Sequence, residues 1–518
     1  MAEAIVTEFA KGILGNLITL VTDQIGLAWG FNDELTRLRE NVEMDVEKDD
    51  CGNVKSCEQI KELGCLNQLS GELDIRHLEN VRDQEEARSA NLAIKAKMNR
   101  INLEHCENCE QVPTLGHLPC LKALEIKGMD DVTCIGVEFY GMRSNVLFPA
   151  LRTLTFRCMK KLVEWKDALE VTSARVVFPC LEELAIVACA QLKGAPCHFP
   201  FLQKLNILGV NNTALERISS NLTTLKSAYI CRVSGHTFAL GQLFWTSIQS
   251  LCISTCGELS YIWDTSQPLI SLEELKIYDC PKLRCFPRIQ GLRCLHICDC
   301  GFEVLTQLQL CTSLSELHIS FCPDLKSLPD LQEFHSLAQL KIYVCHNLKS
   351  IPDLGELCFL TKLAIEGCSN ITRLPEGSLK CLKSLEIGGY CEELDVFPSL
   401  NNFIQHSHTT LQHLQLTGWA KLNSLPGEIQ QFTALETLVI DDFDGIETLP
   451  EWLGNLSSLK ELSICQCNNL MYLPTTTTRL IKLEELHIWD CPKLKERCAM
   501  GSGSEWLKIA HIPKIKID

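Results

Sequence analysis

The chain has 518 residues, 46% apolar and 22% charged, with a net charge of −17. That length exceeds a single hydrophobic core, so it implies several domains or a repeat array. The acidic balance, with no long basic run, argues against nucleic acid as a partner, because such binding needs clustered Lys and Arg to displace counterions.

The first residues, MAEAIVTEFAK, carry acids where an export signal needs a basic start. The expectation is a cytoplasmic, reducing setting with free thiols, although there are thirty cysteines. Between Gly12 and Thr22 runs the longest uncharged apolar stretch near the start, about half of the roughly 20 residues that span a bilayer, so no transmembrane segment is predicted. Ile5, Phe9, Ile13, Leu17 and Leu20 recur at helical spacing, widened by Val6, Leu14, Ile18, Val21 and Ile25. A second helix is predicted after a cap at Asn32 or Asp33, with Leu35 and Leu38 inward. Stripes this wide need a partner surface, and bundle packing is the plain reading. Peripheral membrane contact through residues 1–30 is the alternative, and liposome flotation would reveal it.

Residues 41–55 are acidic and read as a junction between helices at 1–40 and a repeat domain at 56–518. Ser56-Cys-Glu-Gln59 fits a capping box before Ile60, Leu63 and Leu66. Asp83-Gln-Glu-Glu86 fits another before Ala87, Ala90 and Leu92, with Lys95 and Lys97 near the helix end. Both are predicted to lie on the convex side of the opening repeats.

From there one frame recurs, L-x-x-L-x-I-x-x-C-x-x-L. It starts at Leu121, Leu151, Leu181, Leu202, Leu225, Ile248, Leu272, Leu292, Leu314, Leu337, Leu360, Leu382, Leu411, Leu435, Leu459 and Leu483. The mean spacing of about 24 residues is that of leucine-rich repeats. Degenerate copies at 73–81 and 98–106 precede these, giving 16–18 repeats in an α/β solenoid, a curved parallel β-sheet horseshoe. Counting the first leucine as zero, positions +3 and +5 share one face of a short strand, and stacking the copies buries that face. Pro329, Pro352, Pro375, Pro426, Pro450 and Pro474 follow Leu or Ile, whereas Pro149, Pro179, Pro200 and Pro398 follow Phe. They mark turns on the convex return. The wide spacings after Leu121, Leu151 and Leu382 predict longer loops.

Position +8 is Cys at 106, 189, 256, 280, 300, 322, 345, 368, 467 and 491. A small side chain there can stack on the copies above and below, so these cysteines are read as a buried ladder. The repeated Asp-Cys-Pro of LEELKIYDCPKL (272–283) and LEELHIWDCPKL (483–494) is then part of the fold. Cys106, Cys109, His117 and Cys120 have zinc-ligand spacing. The frame separates Cys106 from the last two by a turn of the solenoid, so no metal is expected there. In the pairs Cys298/Cys300 and Cys465/Cys467 one member is a ladder residue and its companion points the other way.

The phosphate-binding glycine loop, the nucleophile elbow and the zinc-protease helix motif are all missing, so the chain is read as non-enzymatic. Positions +4 and +6 project from the concave strand face. The large residues there are candidate protein contacts: Lys276 and Tyr278, Lys341 and Tyr343, His487 and Trp489.

The opening forty residues resemble the start of the coiled-coil domain of plant intracellular immune receptors, the coiled-coil NLR class. IKELGCLNQLSGELDIRHLENVRDQEEARSANLAIKAKMNRINLEH resembles the entrance to their leucine-rich repeats. LPEWLGNLSSLKELSICQCNNLMYLP, LEELHIWDCPKLKERC and HIPKIKID resemble the final repeats and the terminus. Members of that family place a nucleotide-binding NB-ARC domain between coiled coil and repeats. Neither its glycine loop nor its Met-His-Asp motif stands between Glu40 and Ser56. The resemblance therefore implies a receptor without its switch, whether truncated paralogue, spliced product or gene-model artefact. No cofactor is expected, ADP or ATP belonging to relatives that carry the NB-ARC domain. The partners implied are proteins: a pathogen effector, a guarded host protein or a full-length NLR. A non-immune scaffold or a ligase substrate adaptor is the alternative.

Overall fold

The computed structural model describes residues 70–76, 92 and 95–518, apart from short stretches at 107–108, 142–144, 169–175, 236–244, 263–269, 285–288, 302–307 and 356. The helices expected at 1–40, the junction at 41–55 and both capping boxes lie outside these residues.

The described chain builds a nineteen-stranded sheet in which every pairing is parallel. Ser70–Arg76 and Lys97–Glu104 open it, the sixteen frame strands follow, and Lys514–Ile517 closes it. Each frame strand begins at +2, as in Ala123–Lys127 and Glu485–Trp489. Pairing is in register, so Leu317 lies beside Leu295 and Leu340, and each frame position forms a column across the sheet. The columns at 0, +3 and +5 are buried throughout, from Leu121, Leu124 and Ile126 to Leu483, Leu486 and Ile488. One continuous apolar core therefore runs from Leu92 to Ile512. Burying each such side chain stabilises by about 1.5–3 kcal/mol, but only when a neighbouring copy covers it.

Two details of the frame differ from expectation. In the opening copy, Leu73 pairs with Ile101 and Ile75 with Leu103, so Leu73 is a +3 residue and the copy starts three residues earlier, at Ser70. Lys97 opens the second strand, and Lys95 is buried, rather than both flanking a helix end.

The corner that ends each strand sits at +7. Asp279 and Asp490 have φ of 50° and 51°, and His105, Val344 and Gln466 also adopt the left-handed region. Asp tolerates that conformation better than most residues because its short polar side chain bonds locally. The cysteine at +8 then does more than fill space. Its thiol donates to the carbonyl two residues back, as from Cys280 to Tyr278 (3.3 Å), Cys467 to Cys465 (3.2 Å) and Cys491 to Trp489 (3.3 Å). All ten ladder cysteines are buried, and Cys298 and Cys465 are half-buried on the opposite face, as the frame requires. No disulfide joins any described cysteine.

On the convex return, Pro426, Pro450 and Pro474 cap short 3-10 helices, Gly427–Gln431, Glu451–Asn455 and Thr475–Arg479. Phe148, Phe178, Phe199 and Phe397, the Phe residues of the described Phe-Pro turns, are core. Phe148 stacks on Phe178 at 5.1 Å and Phe178 on Phe199 at 6.0 Å. The wide spacings hold ordered structure as well as loop: Val137–Tyr140 and Asn401–Ser407 are helical, and Cys134–Ile135 pairs with Glu164–Trp165. The longest described helix is Asn212–Ser219, so the return side is built mostly from turns.

Candidate functional site

Alternation along each strand sends +3 and +5 into the core and leaves +2, +4 and +6 on the open face of the sheet. In Gln339–Tyr343 this makes Gln339, Lys341 and Tyr343 half-buried while Leu340 and Ile342 are buried. Because pairing is in register, open-face residues of adjacent repeats meet laterally. Their chemistry is therefore set in part by neighbours 20 or more residues away in sequence.

Through the middle repeats these columns form a polar belt. Ser250 donates to Glu274 at 2.5 Å, and Lys276 pairs with Glu274 at 2.7 Å. Lys341 pairs with Glu316 at 2.8 Å, and His296 approaches the same carboxylate oxygen at 3.6 Å. Rings continue the contact, with His296 5.1 Å from His318 and His318 5.3 Å from Tyr343. The Tyr343 hydroxyl donates to Glu386 at 3.0 Å, which also pairs with Lys362 at 2.5 Å. Gln415 and Thr417 donate to Glu366 at 2.9 Å and 3.1 Å.

Acid and base strengths differ sharply along this belt. The His296 bond, with Lys341 beside it, holds Glu316 down at about 2. Burial, reinforced by the neighbouring His296 and Lys341, holds His318 near 4, so its ring is neutral at pH 7. Burial pushes Glu366 the other way, up to about 7, with the Glu386 charge adding to it.

The six candidate contacts all lie on the open face, in two groups. Lys276, Tyr278, Lys341 and Tyr343 belong to the belt, where both lysines are already ion-paired and the tyrosines are half-buried. His487 and Trp489 stand on Glu485–Trp489, six strands beyond Gln339–Tyr343 and so roughly 30 Å along the sheet. There His487 meets Glu485 at 3.3 Å and Trp489 is 53% exposed, the most accessible aromatic of the set. Reading only the large +4 and +6 residues passed over the acids that organise the belt, Glu274 and Glu316 at +2, Glu386 at +4 and Glu366 at +6. The alternation that selects +4 and +6 selects +2 as well.

The quartet Cys106, Cys109, His117 and Cys120 does not converge. Cys106 is buried in the ladder and Cys120 is exposed. Among the described residues, a group of three metal-type donors meets only at Cys294, His296 and Glu316. No described helix is long and apolar enough to cross a membrane.

Residues 60–105, 299–368 and 427–491 match the family model for R13L1/DRL21 leucine-rich repeats. Disease resistance RPP13-like protein 1 of Arabidopsis thaliana is 31% identical over 208 residues, covering 37% of this chain and 19% of that protein. Disease resistance protein RGA2 of Solanum bulbocastanum is 30% identical over 240 residues, 39% of this chain and 24% of its own. For RGA4 of the same species the figures are 32% over 149 residues, 27% and 14%. The chain thus spans less than a quarter of the length of these relatives. Among solved structures, a leucine-rich repeat protein of Leptospira interrogans aligns over 82% of this chain and 91% of its own at 15% identity, with a TM-score of 0.36.

Proposed function

We propose that this leucine-rich repeat protein, whose repeats are of the kind plant disease resistance proteins carry, is a non-catalytic, cytoplasmic binding protein of plant immunity. Its open sheet face receives a protein, either a pathogen effector, a guarded host protein or a full-length receptor of the same class. The supporting observation is the contrast along that face. The middle repeats spend their charges on one another, whereas Trp489 offers a large uncovered aromatic surface. Aromatic anchors in such positions carry most of the energy of many interfaces.

Proximity labelling in plant tissue would identify the partner, and its affinity for the purified chain tests the surface. Tyr343→Ala and Trp489→Ala should weaken binding, Trp489→Ala by about 30-fold or more, as for a hot spot worth about 2 kcal/mol. Equal affinity of wild type and both variants would remove the open face from consideration. Without a nucleotide-binding loop between Glu40 and Ser56, recognition here works without a switch of its own. Purified chain, denatured and chromatographed, should release no stoichiometric ADP, and stoichiometric ADP would refute that part of the reading.

A further inference from the structure

Cys294 and His296 lie two residues apart on the strand Cys294–Cys300, at +2 and +4, so both project from the open face. In-register pairing sets Glu316, the +2 residue of the next strand, directly beside Cys294. Three donor atoms meet there. The Cys294 Sγ lies 3.2 Å from His296 Nε2 and 3.9 Å from a Glu316 oxygen, and His296 Nε2 is 3.6 Å from the other Glu316 oxygen.

We propose that this triad is a divalent-metal site, with zinc as the ion that best fits it. Zinc bonds sulfur at about 2.3 Å, imidazole nitrogen at about 2.0–2.1 Å and carboxylate oxygen at about 2.0–2.2 Å. Tetrahedral angles at those lengths separate the donors by about 3.3–3.6 Å. The Cys294–His296 edge of 3.2 Å and the Cys294–Glu316 edge of 3.9 Å need adjustments of only a few tenths of an ångström, and all three donors lie within 4.8 Å of one another. The mixture of thiolate, imidazole and carboxylate selects zinc over calcium or magnesium, which want oxygen alone. One Glu316 oxygen is held by Lys341 at 2.8 Å, while the other faces the thiol, so the carboxylate is oriented without losing its free oxygen. Protein supplies three ligands and the fourth position faces away from the sheet, where water completes the shell. Binding displaces the Cys294 proton to solvent. The ion would tie two adjacent repeats together in the middle of the polar belt. Lys276 and Lys341 are the nearby cations that oppose it; Lys276 is paired with Glu274, and Lys341 with the Glu316 oxygen that does not face the thiol.

Cobalt is the probe, added to the untagged, chelator-stripped full chain under reducing conditions. One equivalent should produce a thiolate-to-cobalt charge-transfer band with the strong visible bands of a four-coordinate ion, and zinc should bleach both. Cys294→Ser should abolish the charge-transfer band. His296→Ala and Glu316→Gln should each weaken cobalt binding at least 10-fold. Cys298→Ser, two residues further along the same strand, should leave the spectrum unchanged, and circular dichroism reports whether each variant keeps its sheet. The site is refuted if folded wild type takes up no cobalt at one equivalent. Retention of the full band by folded Cys294→Ser, or its loss in folded Cys298→Ser, refutes it equally.

Discussion

Gly388→Val should destabilise the solenoid more than any leucine-to-alanine change in its core. Gly388 is the +6 residue of Ser384–Gly388 and pairs with Thr417 of the next strand. Its φ is +140°, and Gly389 at the corner follows with φ of +58°. A Cβ on Gly388 would fall 1.9 Å from the Thr417 carbonyl oxygen and 2.6 Å from its carbon and nitrogen. Those are backbone atoms, so no rotamer change relieves the clash. The Thr417 carbonyl also accepts the Gly389 N–H at 2.9 Å, so moving it away breaks the bond that turns the corner. Leu385→Ala, at a fully buried neighbour, should cost about 2–5 kcal/mol. Gly388→Val must separate two strands and should reach or exceed about 5 kcal/mol, adding positive-φ strain to lost packing. In a repeat array each copy is held by its neighbours, so the damage divides the solenoid locally. Amide exchange over residues 384–417, compared between the two variants and wild type, is the appropriate measurement. Protection in Gly388→Val equal to that of wild type would show that the close approach is not a constraint.

The frame was legible because burial repeats with the chain. Leu at +3 and Ile at +5 recur so regularly that strand position, inward face and lateral order all follow from one alignment. The cysteine ladder was legible for the same reason, since Cys280 and Cys491 occupy equivalent places. The left-handed corner at +7 was much less so. Asp279, Asp490, Gly128 and Gly209 suit it, but Cys158, Phe321 and Val344 adopt it too, held there by the backbone bonds that link each corner to the next strand. Least legible was the belt on the open face. Whether Glu316 meets His296, Lys341 or Cys294 depends on partners 20 or more residues away and on the rotamers of long side chains. A repeat pattern states which column a residue enters, but it does not state which neighbour that residue will choose. Lys276 and Lys341, read from sequence as candidate protein contacts, are each ion-paired with a glutamate of the belt.

That choice of neighbours gives the belt a pH response that one substitution should isolate. Glu366 is held at about 7, chiefly by burial and secondly by Glu386, while bonds from Thr417 and Gln415 pull in the opposite direction. Its folded value lies above the ordinary 4.5, so between those two values the folded chain holds more protons than the unfolded one. The contribution of Glu366 is therefore fully present below pH 4.5 and is lost as pH rises through 7. The loss amounts to about 3 kcal/mol at most, taking roughly 1.4 kcal/mol per pKa unit. Glu366→Gln keeps a carbonyl oxygen for Thr417 and Gln415 but cannot ionise. It should match wild type in urea resistance near pH 4.5 and exceed it at pH 8, most clearly for the repeats spanning residues 339–417. Asp442, pushed by burial to about 6, weakens the fold over part of the same range, but it does so in both proteins and cancels from the comparison. His318 acts elsewhere. With a folded value of about 4 against 6.5, its contribution is present above 6.5 and lost as pH falls through 4, which lowers both proteins together on the acid side. Wild type and Glu366→Gln differing by a constant amount from pH 4.5 to pH 8 would mean that the Glu366 carboxyl titrates alike in the folded and unfolded chain, and that burial does not hold its proton.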